Sequence, residues 1–115
     1  MNHHKVTRKF GREKKVRDAL LKSLALSFVI NGKIKTTDSK ARELRPFVEK
    51  LVTEGRVDTV ASRRNLISQI GVIGAGKIIK DISPKYTDRS GGYTRITKLP
   101  ARLSDGSFMA VIELI

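Results

Sequence analysis

The 115-residue chain contains no cysteine. Disulfides and thiolate zinc sites are therefore excluded. Aromatic residues are scarce, with four phenylalanines and two tyrosines. Phe28, Phe47 and Phe108 fall in apolar patterns and are expected in the core. Too few aromatics remain for a sheet that stacks single-stranded bases, so a nucleic acid would be read through backbone and shape. No apolar run approaches the ~18 residues of a membrane-spanning helix. The basic start lacks both an apolar signal core and a small-residue cleavage site, which argues against a secretory signal. It leads directly into the patterned part of the chain, which argues against a removable transit segment. His3 and His4 are adjacent, diverge in direction and have no third ligand nearby, so no metal site is expected. The acids Asp18, Asp38, Glu43, Glu49, Glu54, Asp58 and Asp81 mostly sit at helix starts or beside Lys and Arg. That is the placement of caps and surface pairs rather than of a catalytic pair. No Ser-His-Asp set is present, and neither enzymatic activity nor a cofactor is expected.

Acids are also outnumbered. Lys and Arg total 24 against 11 Asp and Glu, a formal net charge of +13 with a pI near 10.5. The excess is uneven. Residues 1–22 hold eight basic and two acidic side chains, and the first dozen hold no acid. Such a segment cannot bury enough apolar surface to offset its chain entropy, and it becomes ordered when phosphates neutralise it. Twelve extended residues reach about 40 Å, far enough to thread between packed nucleic-acid helices. Residues 77–103 carry a second basic block of seven against two. A pI above ~9 with clustered Lys and Arg is the electrostatic footprint of a nucleic-acid binder.

The pattern predicts one small α/β (α+β) domain, about four helices packed on a three-stranded sheet, over residues 13–115, preceded by an extended basic arm at 1–12. Val16, Leu20, Leu24 and Phe28 recur at i+4 from Glu13 to Ile30, ending at Asn31-Gly32. Lys33 to Thr37 alternates as a strand. Thr37 then caps a second helix with Asp38 in its first turn and Ala41, Leu44, Val48, Leu51 and Val52 inward. Pro46 is expected to kink or break it, and Gly55 to end it. Asp58 is expected to cap a third helix through Ile70, with Val60, Ala61, Ile67 and Ile70 inward. The glycine-rich stretch from Gly71 to Gly76 reads as a loop into a short helix with Ile78, Ile79 and Ile82 on the core, stopped at Ser83-Pro84. Tyr93 to Leu99 reads as a strand with Tyr93, Arg95 and Thr97 on one face. Phe108 to Ile115 is a nearly continuous apolar run that suits a central strand.

Gly71-x4-Gly76-Lys77 matches seven positions of a phosphate-binding loop, but Ile78 stands where the magnesium-holding Ser or Thr belongs, and the preceding residues look helical. It is read as a connection, not a nucleotide site. Arg89-x-Gly91-Gly92-Tyr93-Thr94-Arg95 is more telling. Two glycines let a backbone approach a phosphate closely, and Arg and Tyr bracket them. Tyr93 and Arg95 are expected to face outward to RNA while Ile96 faces the core. Lys14 and Lys15 suit a solvated helix face.

Several strings carry a family resemblance. They are His3-x-Lys5, Arg8-Lys9-x-x-Arg12, Lys35-Thr36-Thr37-x-x-Lys40-Ala41-x-Glu43-Leu44-Arg45, Asp58-x-Val60-Ala61-x-Arg63-Arg64, Arg89-x-Gly91-Gly92-Tyr93-Thr94-Arg95-Ile96 and Met109-Ala110-x-Ile112-Glu113-Leu114. In this order, over the whole chain, they resemble the bacterial-type large-subunit ribosomal protein number seventeen. The resemblance implies a structural, non-enzymatic constituent of the large ribosomal subunit, in the cytoplasm or an organelle matrix. It further implies a monomer within the ribosome, set near the peptide exit region beside neighbouring large-subunit proteins, with its N-terminal arm inserted into 23S rRNA. The candidate RNA-binding residues are His3, Lys5, Arg8, Lys9, Arg12, Arg17, Lys35, Lys40, Arg63, Arg64, Arg89, Gly91, Gly92, Tyr93, Arg95 and Lys98. Asn2, His4 and Val16 depart from the family's usual opening and are assigned no contact. No membrane and no small-molecule substrate is implied. The competing reading, an architectural DNA binder, would call for a dimer seam or a recognition helix, and neither is evident.

Overall fold

In the computed structural model, which describes residues 14–89 and 91–115, the first element is a helix, α1, over Lys14–Asn31. The expected arm at 1–12 lies outside the described residues. α1 buries Ala25, Phe28 and Val29, with Leu24 packed beside them, while Val16 is exposed. The helix stops where the sequence places its stop. Gly32 takes φ +80°, and its amide donates to the Phe28 carbonyl at 2.7 Å, closing the last turn.

Strand β1 (Lys33–Thr37) follows directly, and Thr37 caps α2 (Asp38–Gly55), its hydroxyl accepting from the Lys40 amide at 3.4 Å. Ala41, Leu44, Val48, Leu51 and Val52 are buried along one side of α2. The helix continues through Pro46 instead of breaking. Pro46 is on the exposed side, and the apolar stripe opposite holds both halves of the helix against the core. Gly55 is indeed the last helical residue, for a different reason from chain reversal. It is buried, and a Cβ there would sit 2.5 Å from Ile78 Cγ2 and 2.6 Å from Ser83 Oγ. Only glycine lets the end of α2 approach the segment that carries Ile78 and Ser83.

The third helix departs furthest from expectation. Its cap is Thr59, not Asp58, with the Thr59 hydroxyl accepting from the Ser62 amide at 3.1 Å. Helix α3 runs Val60–Lys77 and so absorbs the expected glycine loop. The one interruption is Gly71, at φ 83° and ψ 174°, where two helical segments meet end to end. Beyond it Gly74 is buried, and a Cβ there would lie 2.7 Å from Ile70 Cδ1 and 3.0 Å from Leu26 Cδ1. Close packing on α1 thus gives this glycine a role inside a helix. The inward residues of α3 are Ser62, Leu66, Ile70, Gly74 and Ala75, whereas Val60, Ala61 and Ile67 are exposed. A π turn over Ile78–Ile82 and a 3₁₀ turn over Ser83–Tyr86 complete the helical part. Ile78 and Ile82 are buried as expected, and the buried Ser83 hydroxyl donates to the Val52 carbonyl at 2.8 Å. Among the described residues the helical part is three long helices, the third broken at Gly71, and two short turns, where about four helices were expected.

Strands β2 (Thr94–Leu99) and β3 (Met109–Leu114) form with β1 an antiparallel sheet in the order β1-β3-β2. The apolar C-terminal run is the central strand. Its expected first member, Phe108, precedes the strand and is 75% exposed. Phe28 is in the core and Phe47 packs on its edge. Register places Ile34, Ile112 and Ile96 in one row, with Thr36 and Ala110 beside them. This face packs against the helices. The opposite face carries no helix among the described residues.

Candidate nucleic-acid interface

Because side chains alternate across a strand, the register that buries Ile112 and packs the half-buried Ile34 and Ile96 beside it turns their neighbours to the other face. Lys33, Glu113 and Arg95 stand side by side there, as do Lys35, Val111 and Thr97, and then Thr37, Met109 and Leu99. Lys33, Lys35 and Arg95 are exposed. Arg95 donates through Nε and Nη2 to Glu113 Oε1, at 3.2 and 3.0 Å. One carboxylate therefore sits between two cations of neighbouring strands, and the face keeps a positive excess. Arg95 and Ile96 take the sides that the alternation assigned them. Lys98 shares its parity with Ile96 but lies near the strand's end and is exposed.

Tyr93 does not face outward. It precedes the strand, is fully buried and packs its ring 5.2 Å from that of Tyr86. Its hydroxyl lies 3.1 Å from Thr53 Oγ1 and 3.2 Å from Arg56 Nη1. The ring is a core element, so Tyr93 is corrected from an RNA-facing residue to one that anchors the stretch beside it. Tyr86 is likewise held inside. Its hydroxyl donates to the Ile115 carbonyl at 2.6 Å, and burial raises its pKa.

Arg89 and Gly92 are tied together on this anchor. The Arg89 amide donates to the Tyr86 carbonyl at 3.0 Å, and its Nη1 donates to the Gly92 carbonyl at 3.0 Å. Gly92 has φ +68°, which a side-chain-bearing residue rarely adopts. The Arg89 carbonyl accepts from Arg56 Nη1 and from the Tyr93 hydroxyl. Arg56 Nη2 donates to the Thr87 carbonyl at 2.9 Å. Further along α2, Glu49 Oε2 accepts from the Thr94 amide and hydroxyl at 3.3 and 2.8 Å, and Arg45 Nη2 donates to the Thr94 carbonyl at 3.4 Å. Sequence reasoning missed these α2 residues. The signal available was their spacing, Arg45, Glu49, Thr53 and Arg56, a polar line along a helix whose apolar stripe lies elsewhere.

The remaining candidates are spread over other elements. Arg63 and Arg64 are exposed in the first turn of α3. Arg63 Nε pairs with Asp58 at 2.8 Å, and that hydrogen bond and charge hold the Asp58 carboxyl below the usual carboxylate range. Lys40 is half-buried in the first turn of α2, and Arg17 is half-buried on α1. His3, Lys5, Arg8, Lys9 and Arg12 lie outside the described residues. Lys77, the lysine of the glycine motif, is helical and pairs with Asp81 at 3.4 Å. Among the described residues, no helix is long and apolar enough to cross a membrane.

The family model described as ribosomal protein L17 matches residues 20–115. The large ribosomal subunit protein bL17 of Fusobacterium nucleatum is 44% identical over 116 residues, covering all of both chains. That of Persephonella marina is 46% identical over 118 residues, covering all of this chain and 95% of the other. That of an Exiguobacterium species is 43% identical over 113 residues, covering 93% and 97%. The chain belongs to the ribosomal protein L17 family. Its relatives are structural ribosomal proteins, a family without known enzymatic activity.

Proposed function

We propose that the chain is a structural constituent of the large ribosomal subunit that binds 23S rRNA through phosphate contacts. The observation that carries this reading is the open sheet face, where register sets Lys33, Lys35 and Arg95 together with a single acid, Glu113, between them. An antiparallel sheet can leave one face to solvent, but a face on which three cations meet a single acid attracts a polyanion. Arg89 with Gly91 and Gly92, Lys98, and the Arg63-Arg64 pair extend the contacts, with Lys40 and Arg17 at their margins. Residues 1–12 act as a separate arm that enters the rRNA, through His3, Lys5, Arg8, Lys9 and Arg12, while residues 13–115 form the domain that anchors it. The chain works as a monomer in a cytoplasmic-type ribosome, near the peptide exit region and beside other large-subunit proteins. The test is co-sedimentation. The tagged full-length chain should stay with large subunits through a high-salt wash. Recovery with free DNA or in the unbound fraction would refute the reading.

A further inference from the structure

Arg45, Glu49 and Thr53 of α2 and Arg56, which caps its C-terminus, fall at i, i+4, i+8 and i+11. At 3.6 residues per turn they form one line along the helix. Every one of them grips the stretch between Thr87 and Thr94 by the hydrogen bonds described above. The two ends of that grip differ in kind. At Thr94 the amide, hydroxyl and carbonyl are all taken, by Glu49 and Arg45. Thr94 is the first residue of an edge strand, and its amide and carbonyl point to α2, away from β3. Without α2 they would lack protein partners. At the other end Arg56 spreads over the Thr87 and Arg89 carbonyls and the Tyr93 hydroxyl.

We propose that this line of α2 side chains is a positioning device that fixes Arg89 and Arg95 relative to each other, so that both meet phosphates of one RNA backbone. The proposal rests on the rRNA-binding reading given above. Arg89 is held through its own carbonyl. Arg95 is held because the residue before it is pinned at three atoms. Arg56 spends three of its five N–H donors on the protein, at the Thr87 and Arg89 carbonyls and the Tyr93 hydroxyl, and so acts here as a support. Preorganised cations lose less ordering entropy when the backbone of an RNA docks, which is where such a device acts.

The test is a double-mutant cycle on the full-length chain, with 23S rRNA binding measured at fixed salt. Arg89→Ala alone should weaken binding about tenfold, the loss of one charged hydrogen bond. Arg56→Lys keeps the charge but loses the planar fork that reaches separate acceptors. It should weaken binding by a similar factor, and Arg89→Ala added to it should then weaken binding less than about twofold. Thr53→Val, with thermal unfolding followed in parallel, supplies the same cycle should Arg56→Lys fold poorly. Two results overturn the positioning role: Arg56→Lys binding like the wild type, or the effects of Arg56→Lys and Arg89→Ala multiplying in full. If Arg89→Ala and Arg95→Ala both bind as wild type, the rRNA reading of this surface falls, and the positioning role falls with it.

Discussion

Arg95 and Glu113 stand directly opposite each other on β2 and β3, with two guanidinium nitrogens on one carboxylate oxygen. Arg95 is largely exposed, so the pair adds little to the fold; exposed ion pairs are typically worth ~0–1 kcal/mol. It acts instead on the field of the open face. Glu113→Gln removes the negative charge between Lys33 and Arg95. Thermal stability should change by no more than about 0.5 kcal/mol, while affinity for 23S rRNA rises. A fall in affinity would mean that Arg95 needs its carboxylate partner to bind.

The two sides of the sheet should separate by mutation. Arg95→Ala should weaken rRNA binding by about 1–3 kcal/mol and barely alter unfolding. Ile112→Ala should do the reverse. Ile112 is fully buried in the middle of the sheet, and the cavity should cost roughly 2–5 kcal/mol of stability. Urea unfolding and filter binding on both variants check this. Loss of folding in Arg95→Ala with none in Ile112→Ala would place the faces the wrong way round.

Gly55→Ala pits propensity against packing. Alanine favours a helix over glycine by about 1 kcal/mol. Here its methyl would land 2.5 Å from Ile78 Cγ2, a branch of a fully buried side chain, and 2.6 Å from Ser83 Oγ. Overpacking of this kind typically costs about 1–3 kcal/mol, so the variant should be less stable in denaturant titration. A gain in stability would show that the end of α2 can move away from Ile78.

How much of this was legible in the sequence follows from where local and tertiary forces agree. For α2 they agree: Thr37 caps it and five apolar residues line one side, as the local pattern requires. The Gly32 stop, the central C-terminal strand and the outward Arg95 were also legible, because turn chemistry and alternation are local. The stretch from Gly71 to Gly76 is legible only at its start, where Gly71 interrupts the helix after Ile70. Its composition argues for a loop, but Gly74 is needed for the contact with Leu26 and Ile70, and packing keeps the chain helical. Tyr93 was misplaced by extending the alternation one residue before the strand begins. Its hydroxyl had partners on α2, Thr53 and Arg56, that lie forty and thirty-seven positions away in the chain. In α3 the apolar residues Val60 and Ile67 sit outward while Ser62 goes in, so periodicity gave no reliable face.

Asp58 and Arg63 give a pH-dependent signature. The Arg63 hydrogen bond and charge hold the Asp58 carboxyl below its ordinary value of 3.8. Stability linked to a lowered carboxylate pKa is fully present above the unfolded value and is lost as pH falls through the folded one. The melting temperature of Asp58→Asn should therefore lie below that of the wild type at pH 6. The gap should narrow once pH drops below 3.8 and close beneath the folded pKa. A gap independent of pH would assign the effect to something other than the charge of Asp58.

The open face itself is tested most directly by the salt dependence of 23S rRNA binding, comparing the wild type with a variant carrying Lys33→Ala, Lys35→Ala and Arg95→Ala together. Each phosphate contact adds about 0.7–0.9 to the slope of log affinity against log salt. Losing three contacts should flatten the slope by roughly 2 to 2.7 units, with the circular dichroism of the folded domain unchanged. An unaltered slope in a folded variant would contradict the assignment of this face to rRNA.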